Sequence, residues 1–229
     1  MSPDQGVADL AGGARGPTQP MDPVALDEAR QAVLDKLRST LASAVVGAEL
    51  AKGDLCVRVA NEAWAKAAKV CRDKLDFTYF CHLSGIDWMP HTWPNPKVVA
   101  GEEPTEPAAP AERVTGSAGG DTRFQVFARL HSISRKVGIT LKADLDDVEP
   151  RVATWSKIFP GADWCERETA EMYGFVFEGH PNLAKLYLPA EFEGFPLRKD
   201  FPLLSREIKP WPGLVDVEQF PPGYGGDDE

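Results

Sequence analysis

Apolar residues recur at the spacing of an amphipathic helix in two segments of the first third of the chain. The first segment begins at Asp22 and Pro23, because aspartate favours the N-cap and proline the first helical position. Gly47 is expected to end this helix. Its apolar positions are Leu26, Val33, Leu34, Leu37, Leu41 and Val45. The second predicted helix carries Trp64, Ala68, Cys71 and Leu75 on one face.

Alternating apolar and polar residues predict strands between and after these helices. Residues 55–59 form the first, and the aromatic segment 77–83, which ends at Gly85, forms the second. Residues 124–130 and 137–141 also alternate, and residues 132–135 would join them as a hairpin. A last strand is predicted at residues 183–188.

Two further helices are predicted before that last strand. A short one follows Pro150, with Val152, Trp155 and Phe159 as its apolar residues. A longer one starts at Asp163, where Glu166 three residues on completes a capping pattern, and it ends at Gly174. This order of elements lacks strict β-α alternation. It predicts a single α+β domain with a mixed, largely antiparallel sheet packed by helices.

Three segments show neither the helical nor the strand periodicity of apolar residues. Residues 1–22 are small and polar, and we expect a disordered N-terminal extension before the α+β domain at residues 23–188. Residues 90–121 form a Pro-rich acidic insert, expected to be a loop or disordered. Residues 189–229 alternate prolines with aromatic residues, which suits an extended tail that wraps a partner. The alternative is a tail that folds back on its own domain.

Composition excludes several functions. The net charge of -10 argues against binding nucleic acid or anionic lipid. No apolar run approaches the roughly 20 residues that a membrane span needs, and no signal peptide is visible. The four cysteines form no C-x-x-C pair, and their spacing fits no zinc or iron–sulfur site. We therefore expect a cytosolic chain, or one held at a membrane only through partners.

Candidate chemistry concentrates in the last third of the chain. Glu168 and Glu171 lie one helical turn apart, and with His180 they could form a metal site or an acid–base pair. The structural alternatives are pairing of Arg167 with Glu171 and a turn in which the His180 ring hydrogen-bonds the backbone. Arg198 suits a fork-like bond to a carboxylate, on this chain or on a neighbouring one. No nucleotide-binding motif is present.

The segment from Trp164 to Pro202 resembles the 30 kDa (C-type) subunit of respiratory complex I, the proton-pumping NADH-quinone oxidoreductase. The residues that carry the first part of this resemblance are Trp164, Glu166, Arg167, Glu168, Met172, Gly174, Phe177, Gly179, His180, Pro181 and Leu183. The second part is Pro196, Leu197, Arg198, Lys199, Asp200, Phe201 and Pro202. Glu171 stands where the family usually has aspartate, and Lys185 where it usually has arginine.

The resemblance implies a non-catalytic structural subunit. FMN and iron–sulfur clusters would lie on partner subunits, and the complex, not this chain, would bind NADH and quinone. The implied neighbours are the D-type (49 kDa) and B-type subunits of complex I, on the cytoplasmic side of the membrane. The motif residues, Glu171 included, would then determine the subunit interface and the fold and would not be catalytic. Two alternatives stay open: a related subunit of a membrane-bound hydrogenase or other-donor dehydrogenase, and a free-standing metal hydrolase.

Overall fold

The computed structural model describes residues 23–51, 53–90 and 113–201. In chain order these form α1 (Pro23–Leu41), β1 (Val45–Ala51), β2 (Asp54–Val59), α2 (Trp64–Leu75), β3 (Tyr79–Asp87), β4 (Phe124–Ser132), β5 (Val137–Leu145), β6 (Arg151–Ala153), α3 (Ala162–Tyr173) and β7 (Val176–Glu178). The predictions for residues 1–22, for most of the insert and for the tail beyond residue 201 lie outside the described ranges.

Five strands form the main sheet in the order β1-β2-β5-β4-β3. The central pair β2–β5 is parallel, with Val57 opposite Leu141, and the other neighbours are antiparallel. One face of the sheet packs on the helices through a continuous apolar core that includes Leu37 of α1 and Trp64 of α2. The predicted α+β domain, with a mixed and largely antiparallel sheet, is confirmed.

The first helix ends at Leu41, so the predicted end at Gly47 is wrong. Residues from Val45 onward form β1, which pairs antiparallel with β2. Gly53, at a φ of +73°, makes the tight turn between the two strands. The β-branched pair Val45 and Val46 favours a strand, and pairing with β2 outweighs the continuing helical spacing.

The predicted short helix after Pro150 is also wrong. Residues Arg151–Ala153 form β6, which pairs in parallel with β7 as a separate two-stranded sheet. The apolar residues that suggested a helix are all buried: Val152, Trp155 and Phe159. Trp155 stacks on Trp64 with ring centroids 4.3 Å apart. The helix-like spacing of Val152, Trp155 and Phe159 thus arises because a strand and the turn after it both pack into the core.

The end of the Pro-rich insert belongs to the domain. Residues 113–121 cross the face of the sheet opposite the helices, and Arg58 of β2 holds them there. Its Nε donates to the carbonyl oxygen of Ala118 at 3.1 Å, and its Nη1 pairs with Asp121 at 2.7 Å. Gly47 allows the crossing, because a Cβ there would lie 2.7 Å from the same carbonyl oxygen.

Candidate partner-docking site

The helix α3 positions most of the predicted site residues. It ends at Gly174, whose φ of +75° is the left-handed conformation expected for a helix C-cap. The predicted cap at Asp163 is wrong: Gly161 occupies the N-cap, and no side chain caps the helix. The side chains of Asp163 and Glu166 instead contact segments outside the helix, at His180 and at Trp155.

Glu166 is fully buried and joins α3 to the chain after β6. Its carboxylate accepts hydrogen bonds from the Trp155 backbone N–H at 2.5 Å and from the Thr154 hydroxyl. Burial raises the pKa of Glu166 to about 7, and these hydrogen bonds only partly offset that effect. Glu166 is therefore a structural acceptor in the interior of the domain.

The carboxylate of Glu171 holds residues 186–188. These residues belong to the segment 179–188, which we call the clasp segment. The carboxylate accepts from the backbone N–H groups of Leu186 at 2.8 Å, of Tyr187 at 3.1 Å and of Leu188. Burial opposes ionisation, but these bonds keep the pKa of Glu171 below its usual value. The predicted strand at 183–188 is wrong because these amides bind a side chain, not a neighbouring strand.

Arg167 does not pair with Glu171, contrary to the sequence-based interpretation. Its Nε donates to the carbonyl oxygen of Ala184 at 2.8 Å, so α3 holds the clasp segment through both donors and acceptors. Lys185 acts within the chain as well, since its Nζ donates to three carbonyl oxygens. These acceptors belong to Pro189, Ala190 and Phe192.

His180 lies in a turn, and its ring contacts the backbone as the turn interpretation predicted. Nδ1 accepts the N–H of Asn182 at 3.0 Å. Nε2 lies 2.9 Å from Asp163 Oδ1 and 3.3 Å from the Asp163 carbonyl oxygen. Gly179 adopts a φ of +80° immediately before it, and Pro181 immediately after it is exposed.

The structure does not assemble the proposed metal site. His180 contacts Asp163 and Glu166. The Glu171 carboxylate binds the backbone amides of the clasp segment instead. Among the described residues, no hydrogen bond or ion pair joins Glu168 to His180 or to Glu171. Across residues 23–51, 53–90 and 113–201, no group of three His, Cys, Asp or Glu side chains could hold a metal ion. The alternative in which Glu168, Glu171 and His180 form one site is therefore not supported by their positions.

Residues 195–201, the tail anchor, fold back on the domain. The Leu197 N–H donates to the carbonyl oxygen of Met172 at 3.1 Å, at the end of α3. Arg198 Nε donates to the Tyr173 carbonyl oxygen at 2.6 Å, and its guanidinium lies over the rings of Phe124 (4.9 Å) and Phe195 (4.4 Å). Arg198 therefore binds a carbonyl and aromatic faces within this chain, and among the described residues it forms no carboxylate fork; a fork to a neighbouring chain stays a prediction.

The carboxylate fork belongs to Arg123, which the sequence did not single out. Arg123 binds Asp87 through Nε at 2.9 Å and Nη2 at 2.7 Å, and Nη2 also reaches Asp200 at 2.9 Å. Asp87 is fully buried and accepts the Lys199 N–H at 2.8 Å. Burial alone would raise the pKa of Asp87, but its hydrogen bonds with Arg123 and backbone amides lower it.

The exposed apolar side chains of this region lie on α3, the clasp segment and the tail anchor. Their exposed fractions are Trp164 70%, Tyr187 65%, Leu197 47%, Leu183 39% and Phe195 37%. A shallow pocket of about 330 Å³ opens among them, lined by Ala170, Glu171, Leu183, Lys185, Phe192, Gly194 and Phe195. Pro196 is half-buried beside it, and the Lys199 side chain is exposed. Exposed aromatic residues around a pocket are typical of a docking surface.

Comparison with known proteins identifies the family. The sequence profile described as "Respiratory-chain NADH dehydrogenase, 30 Kd subunit" matches residues 57–207. A C-type subunit of NADH-quinone oxidoreductase, from Roseiflexus sp. (strain RS-1), is 34% identical over 187 residues, which is 81% of this chain and 90% of that protein. Within the described residues, no helix combines the length and apolar character needed to cross a bilayer.

A fused relative and a solved structure are also similar. A C/D subunit of NADH-quinone oxidoreductase, from Yersinia pestis (strain Pestoides F), is 47% identical over 91 residues, or 40% of this chain and 15% of that much longer protein. A chain of the membrane-bound sulfane sulfur reductase, an archaeal respiratory membrane complex, shares the fold with a TM-score of 0.50 at 18% identity. That alignment covers 76% of this chain and 86% of the other. The chain belongs to the family of 30 kDa subunits of respiratory-chain NADH dehydrogenase, the C-type subunits of NADH-quinone oxidoreductase.

Proposed function

We propose that this chain is a non-catalytic structural subunit of the peripheral arm of a proton-translocating NADH-quinone oxidoreductase. The complex passes electrons from NADH through FMN and iron–sulfur clusters on other subunits to quinone. This chain contributes shape and contacts, binds neither NADH nor quinone, and is held at the cytoplasmic side of the membrane through its partners.

Several charged motif residues bind groups within this chain, which supports a structural role. Glu166, Glu171 and Arg198 each bind backbone groups of this chain, and Asp200 pairs with Arg123. Side chains that are saturated by internal contacts fix a shape and are not available to act on a substrate. These four charged residues thus support the segments that carry the apolar docking surface.

The family relationship supports the D-type subunit as the main partner. In the Yersinia pestis relative, a segment similar to this chain belongs to a single polypeptide named as a C/D subunit. Fusion keeps two chains at high effective concentration, which suits proteins that act while bound to each other. We infer that Trp164, Leu183 and Tyr187 insert into the D-type subunit and that the B-type subunit lies nearby.

Purification of the native assembly tests this function. A tagged copy of the chain should recover the D-type and B-type subunits together with NADH-quinone reductase activity from solubilised membranes. The purified chain alone should show no flavin absorbance, no bound iron and no reductase activity. A stoichiometric redox centre on the lone chain would contradict the proposal.

The electron-input subunits that co-purify with the chain distinguish an NADH-linked complex from a hydrogenase or other-donor complex. Recovery of NADH- and FMN-binding subunits supports the proposed complex, whereas recovery of a hydrogenase or another donor module supports the related machine. A metal bound stoichiometrically to the isolated chain, with hydrolytic turnover, would instead support the hydrolase alternative.

Truncation tests the predicted partner-wrapping tail separately. Because residues 195–201 bind the domain, removal of everything after Leu188 would disturb the fold and the partner contact together. A chain that ends at Phe201 keeps the tail anchor and lacks only the residues beyond it. We expect this shorter chain to fold normally and to co-purify poorly with the D-type subunit. Undiminished recovery of that partner would show that residues 202–229 are not a partner-wrapping tail.

A further inference from the structure

Three ionisable side chains, the buried Glu166 and His180 and the partly exposed Asp163, meet where the clasp segment begins. The side chains of Glu166 and His180 are fully buried. His180 Nε2 lies 2.9 Å from Asp163 Oδ1 and 3.8 Å from Glu166 Oε2. Carboxylates this close provide a countercharge for a proton that the imidazole takes up. The cluster can therefore bind protons without leaving an isolated buried charge.

The hydrogen bonds of the His180 ring define its tautomer. Nδ1 accepts the backbone N–H of Asn182 at 3.0 Å, so this nitrogen presents a lone pair. The single ring proton of the neutral form then lies on Nε2, which faces Asp163. The observed arrangement is that of a neutral imidazole.

A second ring proton is incompatible with this arrangement. Protonated Nδ1 would point an N–H group at the N–H group of Asn182, only 3.0 Å away. Two donors cannot hydrogen-bond each other, so protonation breaks this contact. The clasp segment would then lose its first attachment to the ring.

The contact at Asn182 is the first in a series that positions the docking surface. Asn182 Oδ1 accepts the N–H of Ala184 at 3.2 Å, and the Ala184 carbonyl accepts from Arg167 at 2.8 Å. Leu183, which lies between these attachment points, lines the pocket and is 39% exposed. A movement of Asn182 therefore changes how Leu183 is presented.

We propose that Asp163, Glu166 and His180 form a proton-binding site that controls how firmly the clasp segment is held on α3. The neutral ring holds the segment closed. Protonation of the ring, with Asp163 as its nearest countercharge, releases Asn182 and loosens residues 182–188. The consequence for assembly, a pH-dependent presentation of the docking surface, rests on the proposed function, but the loosening itself is a property of this chain.

The other groups around the ring are compatible with proton uptake. Burial raises the pKa of Glu166 to about 7, so this carboxyl also gains a proton as the pH falls below neutrality. Asp163 is the closer carboxylate and remains the partner of Nε2. The remaining nearby charged groups are Lys157, in the turn before α3 and close to Gly179, and Glu178, at the exposed end of β7.

Hydrogen exchange of the full chain, without partners, tests the proposal. Amide exchange is measured at about pH 8 and about pH 5.5 and corrected for the intrinsic pH dependence of exchange. Peptides that cover residues 182–188 should lose protection about five- to tenfold at the lower pH, as expected for one lost hydrogen bond. Peptides from β4 and β5 should keep their protection. An unchanged protection of residues 182–188 would overturn the proposal.

Two variants assign the effect to His180. The substitution His180→Asn keeps an acceptor near the Nδ1 position but cannot be protonated, so the pH effect should disappear. The matched control His82→Asn, at an exposed histidine of β3, should retain it. A pH effect of the same size in His180→Asn would overturn the proposal.

A third variant covers the case in which His180→Asn does not fold. Asp163→Asn removes the countercharge, so the loss of protection at residues 182–188 on lowering the pH should become smaller. A loss as large as that of the parent would also overturn the proposal. These readouts use the chain alone, so their failure leaves the proposed function standing, and a failure to recover the D-type subunit leaves the proton-binding site standing.

Discussion

The clasp segment and the tail anchor contact the same helix, but different interactions hold them. Side chains of α3 bind the backbone of the clasp segment, and the apolar side chains Leu183 and Tyr187 remain exposed. The tail anchor contributes its own side chains to the domain, through Arg198 between aromatic rings and Asp200 on Arg123. The charged residues Arg167, Glu171, Arg198 and Asp200 therefore serve the fold, and the exposed apolar residues are accessible to a partner.

Removing Asp87 should have the largest effect on the tail anchor. The substitution Asp87→Ala leaves Arg123 and the Lys199 N–H without their buried acceptor. Breaking a buried pair in this way costs about 3–5 kcal/mol. Urea unfolding of the isolated chain measures this loss. Asp73→Ala, at an exposed pair with Arg72, is the matched control and should leave the stability nearly unchanged.

Glu166 should make stability depend on pH in the direction opposite to most carboxylates. Its pKa rises from 4.5 in the unfolded chain to about 7 in the folded one. A raised pKa means that the folded state binds the proton more tightly, so this stabilisation is complete below about pH 4.5 and is lost as the pH rises through 7.

The substitution Glu166→Gln removes this titration. Between about pH 4.5 and pH 8, the stability of the variant relative to the parent should improve by about 3 kcal/mol. Urea unfolding across this pH range measures the difference. A constant difference between the two proteins would show that Glu166 does not titrate as its burial indicates.

Arg198→Ala should destabilise the isolated chain by about 2 kcal/mol. The variant loses a hydrogen bond to Tyr173 and the packing of a guanidinium against two rings. These contacts all lie within this chain, so the loss of stability should appear without any partner. Thermal unfolding provides the measurement. Lys199→Ala, whose side chain is exposed, should leave the midpoint nearly unchanged.

Trp164→Ala with Tyr187→Ala should have the smallest effect on stability. Both side chains are more than half exposed, so their loss should change the unfolding free energy by about 0.5 kcal/mol or less. Calorimetry of the isolated double variant checks this expectation. A loss as large as that of Arg198→Ala would place these residues within the fold and remove them from the docking surface.

Local patterns predicted the elements that depend on neighbouring residues. The strands β2, β4 and β5, the helix α2 and the end of α3 at Gly174 follow their periodicity and turn residues. The errors at β6 and at residues 183–188 involve distant partners, whereas the error at β1 concerns a strand that pairs with its neighbour β2. Residues 186–188 are extended because Glu171 binds their amides, and no spacing within 183–188 reveals an acceptor in another element.

The candidate site shows the same difference between what local patterns reveal and what distant contacts determine. The sequence identified the correct segment, but it did not show which way each side chain faces. Asp87 and Arg123 are 36 residues apart, and Arg123 and Asp200 are 77 apart, so no local pattern joins them. The one available signal was Asp87 itself, a carboxylate that follows Ile86 and precedes Trp88, which is unusual for a solvent-facing residue.

The affinity of the D-type subunit for purified variants of this chain tests the central claim most directly. If the exposed apolar residues form the docking surface, Trp164→Ala with Tyr187→Ala should weaken binding more than about tenfold while the melting temperature stays unchanged. The control Lys66→Ala with Lys69→Ala, on the exposed side of α2, should bind like the parent. Equal affinity of the aromatic variant and the parent would contradict the account.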